Sequence, residues 1–220
     1  MTFGHHTLPA RSGRTHSLVV LLHGFGSNGA AMLGLAKTLS TALPDTAFLA
    51  PDAPDAPAGR PGGRMWFTIP ELGGSSAIEA DLRLQASARQ LDAFLDDQLA
   101  AHGLPASAMA LLGYSQGAGM AYEVAPRRRD QLAGVVAIAG RMKRKDTLAA
   151  EVRSTPPFLI LSGAEDRLLT ADEITQTADT LAQVGIPAIL IIIAGVEHDI
   201  SDDGLAKAKD FLKSVLPRVT

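Results

Sequence analysis

The sequence predicts a three-layer α/β fold, with a mostly parallel central sheet and helices on both of its faces. Short apolar runs, typical of buried strands, alternate along the chain with longer segments of helical periodicity. The apolar runs lack an apolar–polar alternation, which indicates strands covered on both faces, as in a parallel sheet. Hydrophobic residues make up 46% of the 220 residues, so we expect one core and a single domain over residues 1–220.

Six strands are predicted, one from each short apolar run. Proline, glycine or the start of a helical segment follows most of them, as is typical of strand ends. In chain order the predicted strands are Ser17–Leu22, Thr46–Ala50, Ala108–Leu112, Leu132–Ala139, Phe158–Leu161 and Ala188–Ile193.

Five helices are predicted between and after these strands. The longest, Ile78–His102, has apolar residues near helical spacing and ends before Gly103, a typical helix stop. The last helix follows Ser201, a typical N-cap, and carries acidic residues in its first turn, where the helix dipole favours them. The other three are Ala30–Leu43, Gly117–Val124 and Asp172–Val184.

Two further segments are predicted to be loops. Pro54–Ser75 is rich in proline and glycine, and an irregular stretch of that length in a compact domain is usually functional. We expect it to form one wall of a binding pocket. The basic stretch Arg141–Lys145 is expected to be a solvated loop and not a lipid-binding patch.

The composition argues against several classes of function. Twenty basic and 23 acidic residues give a net charge of −3, which is unlike a surface for nucleic acid or anionic membrane. The absence of cysteine excludes disulfides, thiolate metal sites and a cysteine nucleophile. No secretory signal is evident, and the longest apolar run, Ile186–Gly195, is too short to cross a bilayer. We therefore expect a cytoplasmic protein without stable membrane insertion.

The segment Gly113–Gly117 matches the pattern G-x-S-x-G and lies between a predicted strand and a predicted helix. That context indicates a nucleophilic Ser115 on a tight turn, with glycines that let the strand and the helix approach closely. The N–H of Gln116 would lie at the helix N-terminus, where negative charge is stabilised, and is a candidate oxyanion donor. An ordinary glycine-rich turn and a phosphate-binding loop are the alternatives, but the latter lacks its lysine.

A nucleophilic serine needs a general base, and His198 is the best-placed histidine. It follows the last predicted strand, at the sheet edge where active sites of open α/β sheets collect. The orienting carboxylate is predicted to be Asp166, which follows the fifth strand, with Glu165 as its direct competitor. The resulting chain order of serine, acid and histidine is the one this type of turn uses.

With these residues, the chain resembles the small carboxylesterase/phospholipase family of α/β hydrolases, which includes acyl-protein thioesterases and bacterial esterases. Besides the serine, acid and histidine positions, Leu21–Gly29 is similar to the family's oxyanion loop and Arg64–Phe67 to its pocket loop. Glu197 and Thr170 depart from the family, where glycine and proline are usual, and these differences bear on pocket shape.

The resemblance implies a role for each matching residue. Ser115 would be the nucleophile, Asp166 the orienting acid and His198 the base, and the N–H groups of Phe25 and Gln116 would form the oxyanion hole. Trp66 and Leu168 would line the acyl pocket, although Trp66 is also explained as an ordinary core aromatic. His23 would be structural.

The implied reaction is hydrolysis of small or medium acyl esters through an acyl-enzyme, without metal or cofactor. Lysophospholipids and thioesters are further candidate substrates, and the protein would be a monomer or a homodimer. A small peptidase or an acyltransferase would share the three residues, and a non-catalytic binding protein would share the fold. A nucleotide-binding protein is disfavoured by the missing phosphate-binding lysine.

Overall fold

A seven-stranded sheet runs through the computed structural model, which describes residues 3–72 and 75–217. The spatial order is β1-β3-β2-β4-β5-β6-β7, with β1 antiparallel to β3 and every other neighbouring pair parallel. The strands are β1 His5–Leu8, β2 Ser17–Leu22, β3 Thr46–Pro51, β4 Met109–Tyr114, β5 Gly134–Ile138, β6 Phe158–Gly163 and β7 Ala188–Ile193.

Helices cover both faces of this sheet, because its strands carry apolar side chains on both sides. One core packs the sheet against α2, α3, α4 and α5, and a second core packs it against α1 and α6. The helices are α1 Gly29–Ser40, α2 Ala77–His102, α3 Gln116–Val124, α4 Lys145–Glu151, α5 Ala171–Gln183 and α6 Asp202–Val215. The predicted fold class, a mostly parallel sheet between two helical layers, is confirmed.

The helix ends follow the local signals in the sequence. Ser76 and Glu79 form a reciprocal capping box at the start of α2, and Gly103 ends that helix in the left-handed conformation. Ser201 caps α6 by accepting a hydrogen bond from the N–H of Gly204.

Three local predictions are wrong. The antiparallel edge strand β1 was not predicted, and Ile78 and Leu82, assigned to the apolar face of α2, are exposed. The stretch Arg141–Lys145 is only partly a solvated loop: Lys143 and Lys145 are exposed, but Met142 is buried, and Arg144 pairs with carboxylates at hydrogen-bond distance. The short helix α4 begins within this stretch, at Lys145.

The parallel strands bring their carboxyl ends to one edge of the sheet, as in other open α/β sheets. The segments that follow β2, β4, β6 and β7 all meet there. They contain the oxyanion-loop candidate, the G-x-S-x-G turn, Asp166 and His198, respectively.

Candidate active site

Ser115 occupies a strained turn between β4 and α3. Its φ of 53° and ψ of −114° lie in a region that a residue with a side chain rarely adopts. The Ser115 N–H donates to the carbonyl oxygen of Ile138 at 2.8 Å, which ties the turn to the neighbouring strand. A Cβ at Gly117 would lie 2.1 Å from the carbonyl oxygen of Leu22, so only glycine permits this approach. The strain is therefore held by the surrounding structure.

A continuous chain of hydrogen bonds connects Ser115, His198 and Asp166. His198 Nε2 lies 2.9 Å from Ser115 Oγ, and His198 Nδ1 lies 2.7 Å from Asp166 Oδ2. The side chain of Asp166 is 0% exposed and that of His198 20% exposed. An imidazole bonded on both nitrogens in this way has a fixed orientation relative to the serine hydroxyl. The structure thus brings the three predicted residues together.

The second oxygen of Asp166 fixes the carboxylate itself. Asp166 Oδ1 accepts hydrogen bonds from the N–H groups of Leu168, at 2.8 Å, and Leu169, at 3.1 Å. The competitor Glu165 points elsewhere, because its Oε1 accepts from the N–H of Gly195 at 3.1 Å. Of the two adjacent carboxylates, only Asp166 contacts the imidazole.

The loop after β2 runs along the nucleophile turn. A Cβ at Gly24 would lie 3.3 Å from Ser115 Cβ, so the backbone just before Phe25 contacts the serine. Gln116 is the first residue of α3, and its N–H belongs to the first-turn amides that have no partner within a helix. Both predicted oxyanion donors therefore belong to segments that adjoin Ser115.

The pocket-loop candidate Arg64–Phe67 packs against the oxyanion-loop candidate. The Gly26 N–H donates to the Arg64 carbonyl oxygen at 2.8 Å, and the Arg64 N–H donates to that of Ser27 at 2.7 Å. The guanidinium of Arg60 lies over the ring of Phe25, 5.4 Å from the ring centroid, in a cation–π contact. Gly73 and Gly74, part of the predicted loop Pro54–Ser75, lie outside the described residues.

Comparison with known proteins identifies the family. The family model described as phospholipase/carboxylesterase matches residues 4–216. The chain belongs to the phospholipase/carboxylesterase family. Its fold, seven strands flanked by helices, is that of the family's α/β-hydrolase structures, and the predicted resemblance is confirmed.

Relatives and solved structures named as esterases or thioesterases are similar to this chain over most of its length. Esterase YpfH of Escherichia coli is 24% identical over 221 residues, which cover 99% of this chain and 91% of that protein. Acyl-protein thioesterase 1 of Yarrowia lipolytica is 28% identical over 173 residues, 75% of each protein. The crystal structure of esterase PE8 shares 36% identity at a TM-score of 0.92, covering 98% of this chain and 100% of that one. The protein is accordingly a carboxylesterase-type hydrolase that acts on esters.

The structure corrects the expectation that Trp66 lines the acyl pocket of this carboxylesterase. Trp66 is 0% exposed, and its Nε1 donates to the carbonyl oxygen of His23 at 2.9 Å. Its ring meets Phe3 edge-on at 5.5 Å between centroids, so the indole belongs to the core. Leu168, by contrast, is 67% exposed beside Asp166 and is available for substrate contact.

His23 is a buried structural residue of the carboxylesterase. Its Nδ1 donates to the Gly24 carbonyl oxygen at 2.8 Å, and its Nε2 accepts from the Ala53 N–H at 3.0 Å. This pairing fits the neutral imidazole, one nitrogen donating and the other accepting. Burial lowers the pKa of His23, which favours the same form.

Sequence reasoning missed two side chains that support the site. Tyr114 donates its hydroxyl to the carbonyl oxygen of His198 at 2.8 Å, and burial, with Asp199 and Asp166 nearby, raises the pKa of Tyr114. The hydroxyl therefore remains a donor that holds the histidine loop. The only signal for this role was its position next to the serine.

The second missed side chain is the amide of Gln116. Its Oε1 accepts from the Trp66 N–H at 2.8 Å, and its Nε2 donates to the Phe67 carbonyl oxygen at 2.7 Å. The residue after the nucleophile thus fastens the pocket loop to the nucleophile turn. Its motif position indicated only the backbone N–H.

The part of the chain that the structure describes has neither a membrane-spanning helix nor a cluster of metal-ligating side chains. Over residues 3–72 and 75–217, no helix is long and apolar enough to cross a membrane. The same residues contain no group of three or more histidines and carboxylates that could hold a metal ion.

Proposed function

We propose that this carboxylesterase hydrolyses carboxylic esters of small or medium acyl chains, with Ser115, His198 and Asp166 as a catalytic triad. The observation that carries the proposal is the hydrogen-bond chain from Asp166 Oδ2 through the imidazole to Ser115 Oγ, with steps of 2.7 and 2.9 Å. These lengths are within the reach that a general base and its nucleophile require.

In the proposed reaction Ser115 Oγ attacks the ester carbonyl carbon while His198 Nε2 takes the hydroxyl proton. The carbonyl oxygen becomes an oxyanion, which accepts hydrogen bonds from the N–H groups of Phe25 and Gln116. Each such donor contributes roughly 3 kcal/mol of transition-state stabilisation in related reactions. His198 then protonates the leaving alcohol, and an acyl-enzyme on Ser115 remains.

Deacylation repeats the proton transfers with water as the nucleophile. His198 takes a proton from water as it attacks the acyl carbonyl, and returns it to Ser115 Oγ as the acid leaves. Asp166 holds the imidazole in the tautomer with hydrogen on Nδ1 and stabilises the imidazolium that forms. The amides of Leu168 and Leu169 hold Asp166 in this orientation throughout. No metal or cofactor takes part in the proposed steps.

Leu168 is the residue proposed to contact the acyl chain, because it is exposed and two residues from the orienting acid. A thioester is the second candidate substrate, favoured by the relatives named acyl-protein thioesterase. Lysophospholipids are a third, in keeping with the description of the family model. An acyl-length series of p-nitrophenyl esters, with matched thioesters and lysophospholipids, separates these substrates by kcat/KM.

We also propose that residues 1–220 form one domain, present in the cytoplasm as a monomer or homodimer. The continuous sheet and the family match over residues 4–216 support the single domain, and the absence of cysteine fits a reducing compartment. Light scattering and cell fractionation test the oligomeric state and the location.

The triad is tested by labelling with a fluorophosphonate probe, which reacts with activated serines. The wild-type protein should label at one site, and Ser115→Ala should not label, with an unchanged circular dichroism spectrum as the control. Full labelling of Ser115→Ala would remove the nucleophile from the proposal. Turnover of peptides, or acyl transfer to an alcohol faster than hydrolysis, would instead make the protein a peptidase or an acyltransferase.

A further inference from the structure

A charged cavity lies between α2, α3 and α4, apart from the proposed triad. Its volume is about 490 Å³, within the range of small-molecule sites. Neither Ser115, Asp166 nor His198 lines it. Four arginines and three carboxylates do, together with small apolar side chains such as Ala88 and Val124.

The inner carboxylates of this cavity are already paired. Glu123, 4% exposed, lies 2.6 Å from Arg144 Nη1 and 3.1 Å from Arg127 Nη1. Glu151 lies 2.6 Å from Arg127 Nε and 3.0 Å from Arg144 Nη2. Burial would raise the pKa of Glu151, but hydrogen bonds from Arg127 and Thr147 lower it to about 2. Asp81, which does not line the cavity, lies a further 3.5 Å from Arg144 Nε. The two arginines of the inner part are therefore fully paired with carboxylates.

The outer part of the cavity is not neutral. Its carboxylate, Asp92, pairs with Arg128, which does not line the cavity. Arg89 and Arg153 line the cavity and are exposed, and within residues 3–72 and 75–217 neither pairs with a carboxylate. Both arginines thus line the cavity without a salt bridge of their own, and the one outer carboxylate, Asp92, is bound to Arg128.

We propose that this cavity binds a small phosphate-bearing dianion, held by Arg89 and Arg153 at its mouth. A guanidinium presents a planar fork of donors that matches phosphate oxygens, and a phosphate has enough terminal oxygens to accept from two such forks. The paired Glu123 and Glu151 keep an anion out of the inner part. The remaining volume would hold a small organic group attached to the phosphate.

Calorimetric titration with inorganic phosphate, against sodium chloride at matched ionic strength, tests the proposal. We expect saturable binding to the wild-type protein. Arg89→Gln and Arg153→Gln should each weaken binding by about tenfold or more, since each removes a charge-assisted hydrogen bond. The double variant should show no saturable binding. Arg129→Gln, the same change at an exposed arginine outside the cavity, should bind as the wild type does.

Further titrations distinguish the cavity from the proposed triad and a phosphate monoester from free phosphate. Ser115→Ala should keep wild-type phosphate affinity, because Ser115 does not line the cavity. Tighter binding of glycerol 3-phosphate than of inorganic phosphate would assign a phosphate monoester as the ligand, and the reverse would assign free phosphate. Absence of saturable binding by the wild type, full binding by the double variant, or equal binding of succinate would each overturn the proposal.

Discussion

The side chain of Gln116, buried at the start of α3, should contribute strongly to stability through its hydrogen bonds to the pocket loop. Gln116→Met keeps the length and approximate volume of the side chain but removes both hydrogen bonds to the pocket loop. Because Trp66 and Phe67 are buried, water cannot replace the lost partners of the Trp66 N–H and the Phe67 carbonyl. Each buried group left unpaired costs about 1–3 kcal/mol, so the free energy of unfolding should fall by about 2–6 kcal/mol.

Urea denaturation measures this change as a lower midpoint at an unchanged m-value. The matched control is Gln90→Met, the same substitution at an exposed position of α2, where a change within about 0.5 kcal/mol is expected. Fluorophosphonate labelling of Gln116→Met should persist, since the substitution leaves its backbone N–H and the Ser115–His198 contact in place. A loss of less than about 1 kcal/mol would refute the reasoning that these two hydrogen bonds hold the loop.

Three other substitutions test separate parts of the structure. Asp166→Asn should lower kcat for a p-nitrophenyl ester by about 10⁴-fold through the wrong imidazole tautomer, and a loss below tenfold would contradict that role. Tyr122→Phe should raise the free energy of unfolding by about 1 kcal/mol in urea, because it removes a buried hydroxyl without a partner among the described residues; destabilisation would contradict this. Glu151 has a pKa lowered from 4.5 to about 2, so the stability it contributes is present above pH 4.5 and lost as the pH falls towards 2. Glu151→Gln should flatten the stability profile over that window, and an unchanged slope would show that other groups cause it.

The main elements were predictable because local sequence patterns are enough to indicate them. Buried parallel strands are recognisable because they are apolar on both faces. The G-x-S-x-G turn is recognisable because its close packing requires the two glycines, one of which contacts the Leu22 carbonyl. Asp166 and His198 could be found because each follows a strand whose carboxyl end lies at the same edge of the sheet.

The errors concern properties that depend on distant contacts. Three of the four residues in His5–Leu8 are polar, and the segment becomes a strand only by pairing with β3. A tryptophan in a loop can face a ligand or the core, and Trp66 faces the core because His23 and Gln116 supply its hydrogen-bond partners. The basic stretch was misread because the partners of Arg144 lie at Glu123 and Glu151, which no spacing rule connects to it.

Helix α3 links the nucleophile to the charged cavity, and contacts at both of its ends fix its position. Its nine residues are all buried, so it cannot shift without disturbing the packing around it. At its N-terminus the strained Ser115 and the amide of Gln116 are bonded to the neighbouring strand and the pocket loop. At its C-terminus Arg127 donates to the carbonyl oxygens of Tyr122, at 3.5 Å, and Glu123, at 3.1 Å. The paired arginine at the inner end of the cavity and the contact of Ser115 with His198 thus both depend on the placement of this one helix.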